Sequence, residues 1–230
     1  MIESGKKKRG ARMWKKLFTL LFCCSASLYG DGLQSDIDNA TTTLREMAKI
    51  PEGTIPSEIL KNAQGLVILR TIKAGAGISG MGGTGIVLAK TVKGWSAPSA
   101  VGVGGAGIGI QIGAEVNDLV LILNSRETVD KFAKMASLSL GIDVSAAAGP
   151  VGRTLEAGVV LPKQADVYSY SLTKGLFMGI SLEQTVFAVR NEANETYYKK
   201  PVTASELLSG KVPPPAGAKS LYQELNKDIR

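Results

Sequence analysis

Residues 102–123 read Gly102-Val103-Gly104-Gly105-Ala106-Gly107-Ile108-Gly109-Ile110-Gln111-Ile112-Gly113-Ala114-Glu115-Val116-Asn117-Asp118-Leu119-Val120-Leu121-Ile122-Leu123. Ile108, Ile110 and Ile112 alternate with Gly107, Gly109, Gln111 and Gly113. A strand with this period of two shows branched side chains on one face and nearly bare backbone on the other. Bare backbone lets a second element approach closely. Gly105, Gly109 and Gly113 also stand at the small-xxx-small spacing of packed helices. So many glycines would each cost a helix about 1 kcal/mol relative to alanine, and strand is the preferred reading. Val116 to Leu123 follows as a buried strand.

Upstream, Leu66 to Leu69 is an apolar run, and glycines then crowd positions 75, 77, 80, 82, 83 and 85. Gly75, Gly77 and Gly80 satisfy G-x-G-x-x-G, but no helix or acidic residue follows at the spacing that a dinucleotide site needs. Tight turns between strands account for these glycines. Ile86 to Lys90 continues as strand, and Lys90, Lys93 and Trp95 gather at an apparent hairpin turn beside Gly94 and Pro98. Earlier still, Leu33, Ile37, Ala40, Leu44 and Met47 recur on one helical face until Pro51. Asp36, Asp38, Arg45, Glu46 and Lys49 make its polar face, and a short helix from Pro56 to about Ala63 comes next.

Downstream, Asn124 or Ser125 caps a helix running to about Met135, with Glu127 in its first turn. Strands are expected near Ile142–Ala147, Leu155–Leu161, Ala165–Leu172, Leu176–Leu182 and Thr185–Arg190. Thr203 and Glu206 form a capping box, Pro213 to Pro215 a stiff spacer, and Leu221, Leu225 and Ile229 one side of a last helix. The whole predicts an α+β fold: a mostly antiparallel, curved, Gly-rich sheet, barrel- or sandwich-like, flanked by N- and C-terminal helices.

The 230 residues carry a formal net charge of +7. Seven of the cations (Lys6, Lys7, Lys8, Arg9, Arg12, Lys15 and Lys16) lie in the first 30 residues against the single acid Glu3, so the body is nearly neutral and nucleic acid is not an expected partner. The basic block precedes an apolar core from Leu17 to about Cys24 and then Ser25, Ala26, Ser27 and Gly30, the order of a secretory signal. Leu17 to Leu28 is too short for a span of roughly 20 residues. Both cysteines, Cys23 and Cys24, fall inside this segment, where either could instead be acylated in a lipoprotein signal. The expected organisation is a signal over 1–30, a domain over 31–212, and a Pro-rich spacer with a helix packing on the domain over 213–230.

Histidine is absent and no cysteine lies beyond the leader, which removes the commonest general base, metal ligand and thiol nucleophile. Glu115 and Asp118 point to opposite faces of a strand, and Ser145, Ser169 and Ser171 have no candidate base nearby in sequence. No catalytic residue, cofactor or metal is assigned.

Eight motifs recur in order: Ala63-Gln64-Gly65-Leu66; Lys73-Ala74-Gly75 with Gly77, Gly80 and Gly85; Gly94-Trp95-Ser96-Ala97-Pro98; Gly109-Ile110-Gln111-Ile112-Gly113; Asp118-Leu119-Val120-Leu121; Ala148-Gly149-Pro150-Val151-Gly152; Tyr168-Ser169-Tyr170-Ser171; and the run from Lys174 to Glu183. Through them the stretch from Ala63 to Tyr198 resembles the SYLF domain, also called the Ysc84 actin-binding domain. Arg70, Gln184 and Lys199 depart from the pattern, standing near or at places where proline, glycine and glycine are usual. The resemblance implies lipid binding, with phosphoinositides recognised by eukaryotic members and actin bound by some. The expectation is a non-catalytic protein exported to the periplasm or cell envelope, where Lys73, Lys90, Lys93, Arg153 and Lys174 meet membrane phospholipid phosphates near Trp95. An envelope scaffold that binds proteins through the Gly-faced sheet is the alternative. Actin, which an exported protein would meet only inside a host, is set aside as a partner.

Overall fold

The computed structural model of the protein describes residues 32–50, 55–134, 137–149, 165–173 and 185–227, with backbone alone at 75–79, 107–114 and 173. The leader with Cys23 and Cys24, the strands expected at 155–161 and 176–182, and Ile229 lie outside the described residues. Helix α1 spans Leu33–Met47 and α2 spans Ser57–Asn62. Strand β1 then runs without interruption from Gly65 to Thr91, and β2 (Gly94–Trp95) turns back on its end. Strand β3 (Ser99–Leu123) pairs antiparallel with β1 from Gly65↔Leu123 to Val87↔Ser99, with one irregularity between Ala76 and Gly77.

The expected turns among the glycines of β1 are therefore absent. Glycine in a strand interior also marks a bulge or a close backbone approach, and both occur here. The β1–β3 ribbon curls until the two ends of β1 meet: Lys90 N donates to Gln64 O at 2.8 Å. A side chain at Gly85 would collide with the carbonyl oxygen of Ile68, and one at Gly83 with that of Arg70. The bare face expected at Gly107, Gly109 and Gly113 falls where the backbone alone is described, and the close approach is seen instead at Gly83 and Gly85.

Helix α3 (Arg126–Lys134) follows, with Thr128 N donating to Ser125 Oγ at 3.1 Å in its first turn. Among the described residues, strands β4 (Leu138–Ser139), β5 (Ala146–Ala148), β6 (Val167–Thr173) and β7 (Thr185–Val189) complete a seven-stranded sheet. The strand expected from Ile142 starts later, because Gly141 to Asp143 form a turn in which Gly141 has φ +85°. One edge of β3 takes β7 along Val101–Gly105 and β6 along Asn117–Leu123, while β5 pairs with β6 in parallel. The architecture is α+β: a strongly curled, mostly antiparallel sheet with flanking helices.

Each face of the sheet has its own core. Leu66, Ile68, Ile86, Leu88, Val120 and Ile122 pack beneath the apolar stripe of α1 and beneath Leu221 and Leu225 of α6 (Lys219–Lys227). Val67, Leu69, Val87, Leu119, Leu121 and Leu123 pack instead with Val129 and Phe132 of α3 and with Phe187. Burial on both faces explains why Leu66–Leu69 and Leu119–Leu123 read as unbroken apolar runs. Helix α4 (Asn191–Tyr198) begins just past the strand expected to end at Arg190, in a stretch to which no element was assigned, and α5 (Ala204–Leu208) starts at the anticipated Thr203–Glu206 capping box.

Candidate functional site

The β1–β2 hairpin is built by Lys90↔Trp95 and Thr91↔Gly94 pairing, with Val92 and Lys93 at the turn. Gly94 has φ +108°, a conformation side chains resist. Thr91 Oγ1 donates to Gly94 O at 2.7 Å and accepts from Lys93 N at 3.2 Å, so the turn is tied across its mouth. Val92 is wholly exposed and Lys93 is exposed beside it.

The base of the hairpin is far more enclosed. Trp95 is buried in the core beneath α1, and Lys90 Nζ lies 5.9 Å from the centre of its ring. The same ammonium donates to Lys61 O at 2.8 Å, in the last turn of α2, where a cation suits the helix dipole. Lys90 thus braces the hairpin, and Lys93 presents its charge freely to solvent. An open depression of about 470 Å³ adjoins the turn, lined by Gln64, Lys90, Thr91, Val92, Arg126 and Ser209.

The segment after Trp95 is held from behind by the C-terminal helices. Tyr222 of α6 donates to Ser96 O at 2.8 Å, and Tyr198 of α4 donates to Pro98 O at 2.7 Å. Asn194, fully buried, accepts from Ala100 N at 2.7 Å and donates to Ser99 Oγ at 3.1 Å. Burial pushes the Tyr198 and Tyr222 hydroxyls well above the usual phenol range, so both stay protonated as donors. The motif Gly94-Trp95-Ser96-Ala97-Pro98 is a clamped loop with an open tip.

Of the residues expected to form the site, Lys90, Lys93 and Trp95 are brought together. Lys73 is not with them: it is half-buried, opposite Glu115 and near the β1 irregularity, some 30 Å of extended strand beyond Gln64 at about 3.3 Å per residue. Arg153 and Lys174 lie outside the described residues. Sequence reasoning missed Asn194, Tyr198 and Tyr222, since contacts more than 90 residues apart leave no local periodic signal; it also passed over Val92, although it lies between the two named lysines, and Arg126, which only the fold brings to the depression.

The carboxylates serve as braces. Asp118 accepts from Arg70 Nε and Nη2 at 2.7 and 2.9 Å, and Arg70 Nη1 reaches Asn39 Oδ1 of α1 at 2.8 Å. The side chain of Asp36, expected on the solvent face of α1, is instead buried against Arg190, because the closing sheet covers that flank of the helix. Asp166 accepts from the backbone N–H and the hydroxyl of Ser145, bonds that hold its pKa below the ordinary carboxylate value.

A family profile described as "Ysc84: Las17-binding protein actin regulator" matches residues 104–228. The chain belongs to the Ysc84 family. An SH3 domain-containing protein of Schizosaccharomyces pombe is 49% identical over 178 residues, covering 76% of this chain and 41% of that protein. The human SH3 domain-containing YSC84-like protein 1 is 43% identical over 200 residues, 84% of this chain and 58% of that one. LAS seventeen-binding protein 3 of Saccharomyces cerevisiae is 41% identical over 174 residues, 74% and 38% respectively. The Ysc84 chain spans about half the length of the curated relatives it matches. Setting actin aside as a partner is overturned by these findings: the family is described as an actin regulator, and one relative is named for binding LAS seventeen.

Proposed function

We propose that this Ysc84 protein is a non-catalytic module that is exported and docks on anionic phospholipid surfaces through the β1–β2 hairpin. The observation that carries the reading is the tip itself, where an exposed cation, Lys93, projects beside a wholly exposed Val92 from a turn fixed by a buried Trp95 and two tyrosine hydroxyls. Phosphates attract the lysine, and Lys90 and Arg126 flank the adjoining depression. Co-sedimentation of the protein with phosphatidylcholine vesicles, with and without phosphatidylserine, tests it. Salt-sensitive pelleting only with phosphatidylserine is expected, and a protein that stays in solution with both would overturn it.

A second reading is favoured by the family description: a protein partner from the actin-regulating machinery. Co-sedimentation with filamentous actin, in the absence of lipid, tests that arm separately. A module doing both would join a membrane surface to filaments, which an exported protein would meet only inside a host, without any chemistry of its own.

A further inference from the structure

We propose that the hairpin tip is an insertion wedge, with Val92 entering the hydrocarbon of the outer leaflet while Lys93 remains at the phosphates; this rests on the membrane reading above. Two-residue turns favour Gly, Asn and Asp, and a β-branched residue there gains nothing from the turn itself. Val92 nonetheless occupies the turn with its side chain wholly in water. A single exposed valine is ordinary on a protein surface. What sets this one apart is its mounting.

The wedge is rigid because every strut behind it is satisfied. Thr91 Oγ1 closes the turn on Gly94 O, and Ser96 Oγ accepts from Ala89 N at 2.9 Å just behind it. Tyr222 and Tyr198 hold the carbonyls of Ser96 and Pro98. Insertion therefore demands no ordering of a mobile loop, the usual cost of binding through loops. Thr91 is also packed by Gly210, whose φ of +76° lets the chain after α5 come close, and Lys211 follows directly. Lys93 stands at the tip itself, Lys90 and Arg126 line the depression that Val92 also borders, and Lys61 and Lys211 lie on segments that touch the hairpin. Arg126 has a carboxylate close by, Asp130 at 3.4 Å, and Lys211 stands near enough to Glu206 to help the Thr203 N–H hold its pKa down. An apolar point beside these cations suits an anionic bilayer, where hydrocarbon lies beneath the phosphates.

The test is co-sedimentation of the full chain with phosphatidylcholine–phosphatidylserine vesicles at low and high salt, for wild type, Val92→Ser, Val92→Leu and Lys93→Gln. Burying a valine side chain corresponds to roughly tenfold in partitioning. Val92→Ser should lose about that factor at both salt levels, and Val92→Leu should match or exceed wild type. Lys93→Gln should lose affinity only at low salt. In Val92→Trp, lipids brominated on their acyl chains should quench fluorescence beyond the wild-type level. Unchanged binding by Val92→Ser, or no added quenching in Val92→Trp, overturns the wedge and leaves the electrostatic docking standing. Failure of wild type to bind either vesicle overturns both.

Discussion

Arg190 Nη1 lies 2.8 Å from Asp36 Oδ2, with the two side chains 9% and 1% exposed. The other carboxylate oxygen accepts from Thr84 Oγ1 at 2.7 Å. One buried acid thus ties α1 to the second limb of β1 and to the residue that precedes α4. These are the elements that cover and back the candidate site.

Removing that acid should be among the most damaging single changes in the protein. Asp36→Ala leaves a buried guanidinium that has lost its carboxylate, a loss of about 3–5 kcal/mol. Replacing both partners with apolar residues, Asp36→Leu with Arg190→Met, should cost clearly less than either single change. Denaturant midpoints of the four proteins decide it. Strict additivity would show that the pair is not coupled.

The curled ribbon makes a sharp distinction between glycines. Gly85→Ala should destabilise by roughly 1–3 kcal/mol, because its methyl group must displace the backbone at Ile68 and Leu69. At Gly104 the space beyond the backbone is open, so Gly104→Ala should be neutral or stabilising by up to about 0.5 kcal/mol. Thermal unfolding of the two variants would settle the matter, and equal midpoints would contradict the close approach of the two β1 limbs.

How much of this was legible in the sequence depends on the range of the interactions. Local signals read well: the stripe Leu33 to Met47, the Thr203–Glu206 box and the preference for strand over helix at Gly105 to Gly113 all correspond to elements of the fold. The glycines of β1 were misread, since a turn and a close approach of two backbones make the same demand for a missing side chain. At the site, Lys90, Lys93 and Trp95 were legible because one hairpin holds them. Tyr198 and Tyr222 were not, because they reach Pro98 and Ser96 across about half the chain.

Lys199 ends α4 in the left-handed conformation, φ 54°, at a place where glycine is the cheaper residue. Lys199→Gly should raise stability by about 1 kcal/mol, since it relieves the side-chain clash of that conformation. The change lies on the surface, so vesicle binding at the hairpin should be unaffected. A lowered melting temperature would mean that the lysine contributes something the backbone geometry does not reveal.

The two hairpin lysines should separate cleanly. Lys93→Ala removes an exposed charge and should weaken binding to phosphatidylserine vesicles about fivefold at low salt, with stability changed by less than about 0.5 kcal/mol. Lys90→Ala removes the bond to Lys61 O and the contact with Trp95, and should also lower stability by about 1–2 kcal/mol. Equal stability of the two variants would show that Lys90 does not brace the hairpin.

Alkaline pH should expose the tyrosine clamp. Tyr170, Tyr198 and Tyr222 all have pKa values raised above the ordinary 10.0, first by burial and then by neighbouring phenols. Below about pH 10 folded and unfolded chains both keep these protons, so stability sits on its plateau. Above it the unfolded chain releases protons that the folded chain retains, and stability falls as pH rises, by up to about 1.4 kcal/mol per pH unit for each fully buried phenol. Tyr198 and Tyr222 are half-buried whereas Tyr170 is buried, so each of the first two should contribute less than Tyr170. Tyrosinate absorbance should therefore appear cooperatively, together with loss of the folded signal, and not gradually at pH 10. Tyr198→Phe should lower stability at neutral pH by about 1 kcal/mol through the lost bond to Pro98 O, yet make the alkaline decline shallower by the share of one proton. Denaturant midpoints measured across the alkaline range read both effects at once. An alkaline slope in Tyr198→Phe that parallels the wild type would mean that this hydroxyl ionises freely in the folded protein and does not hold the segment behind Trp95.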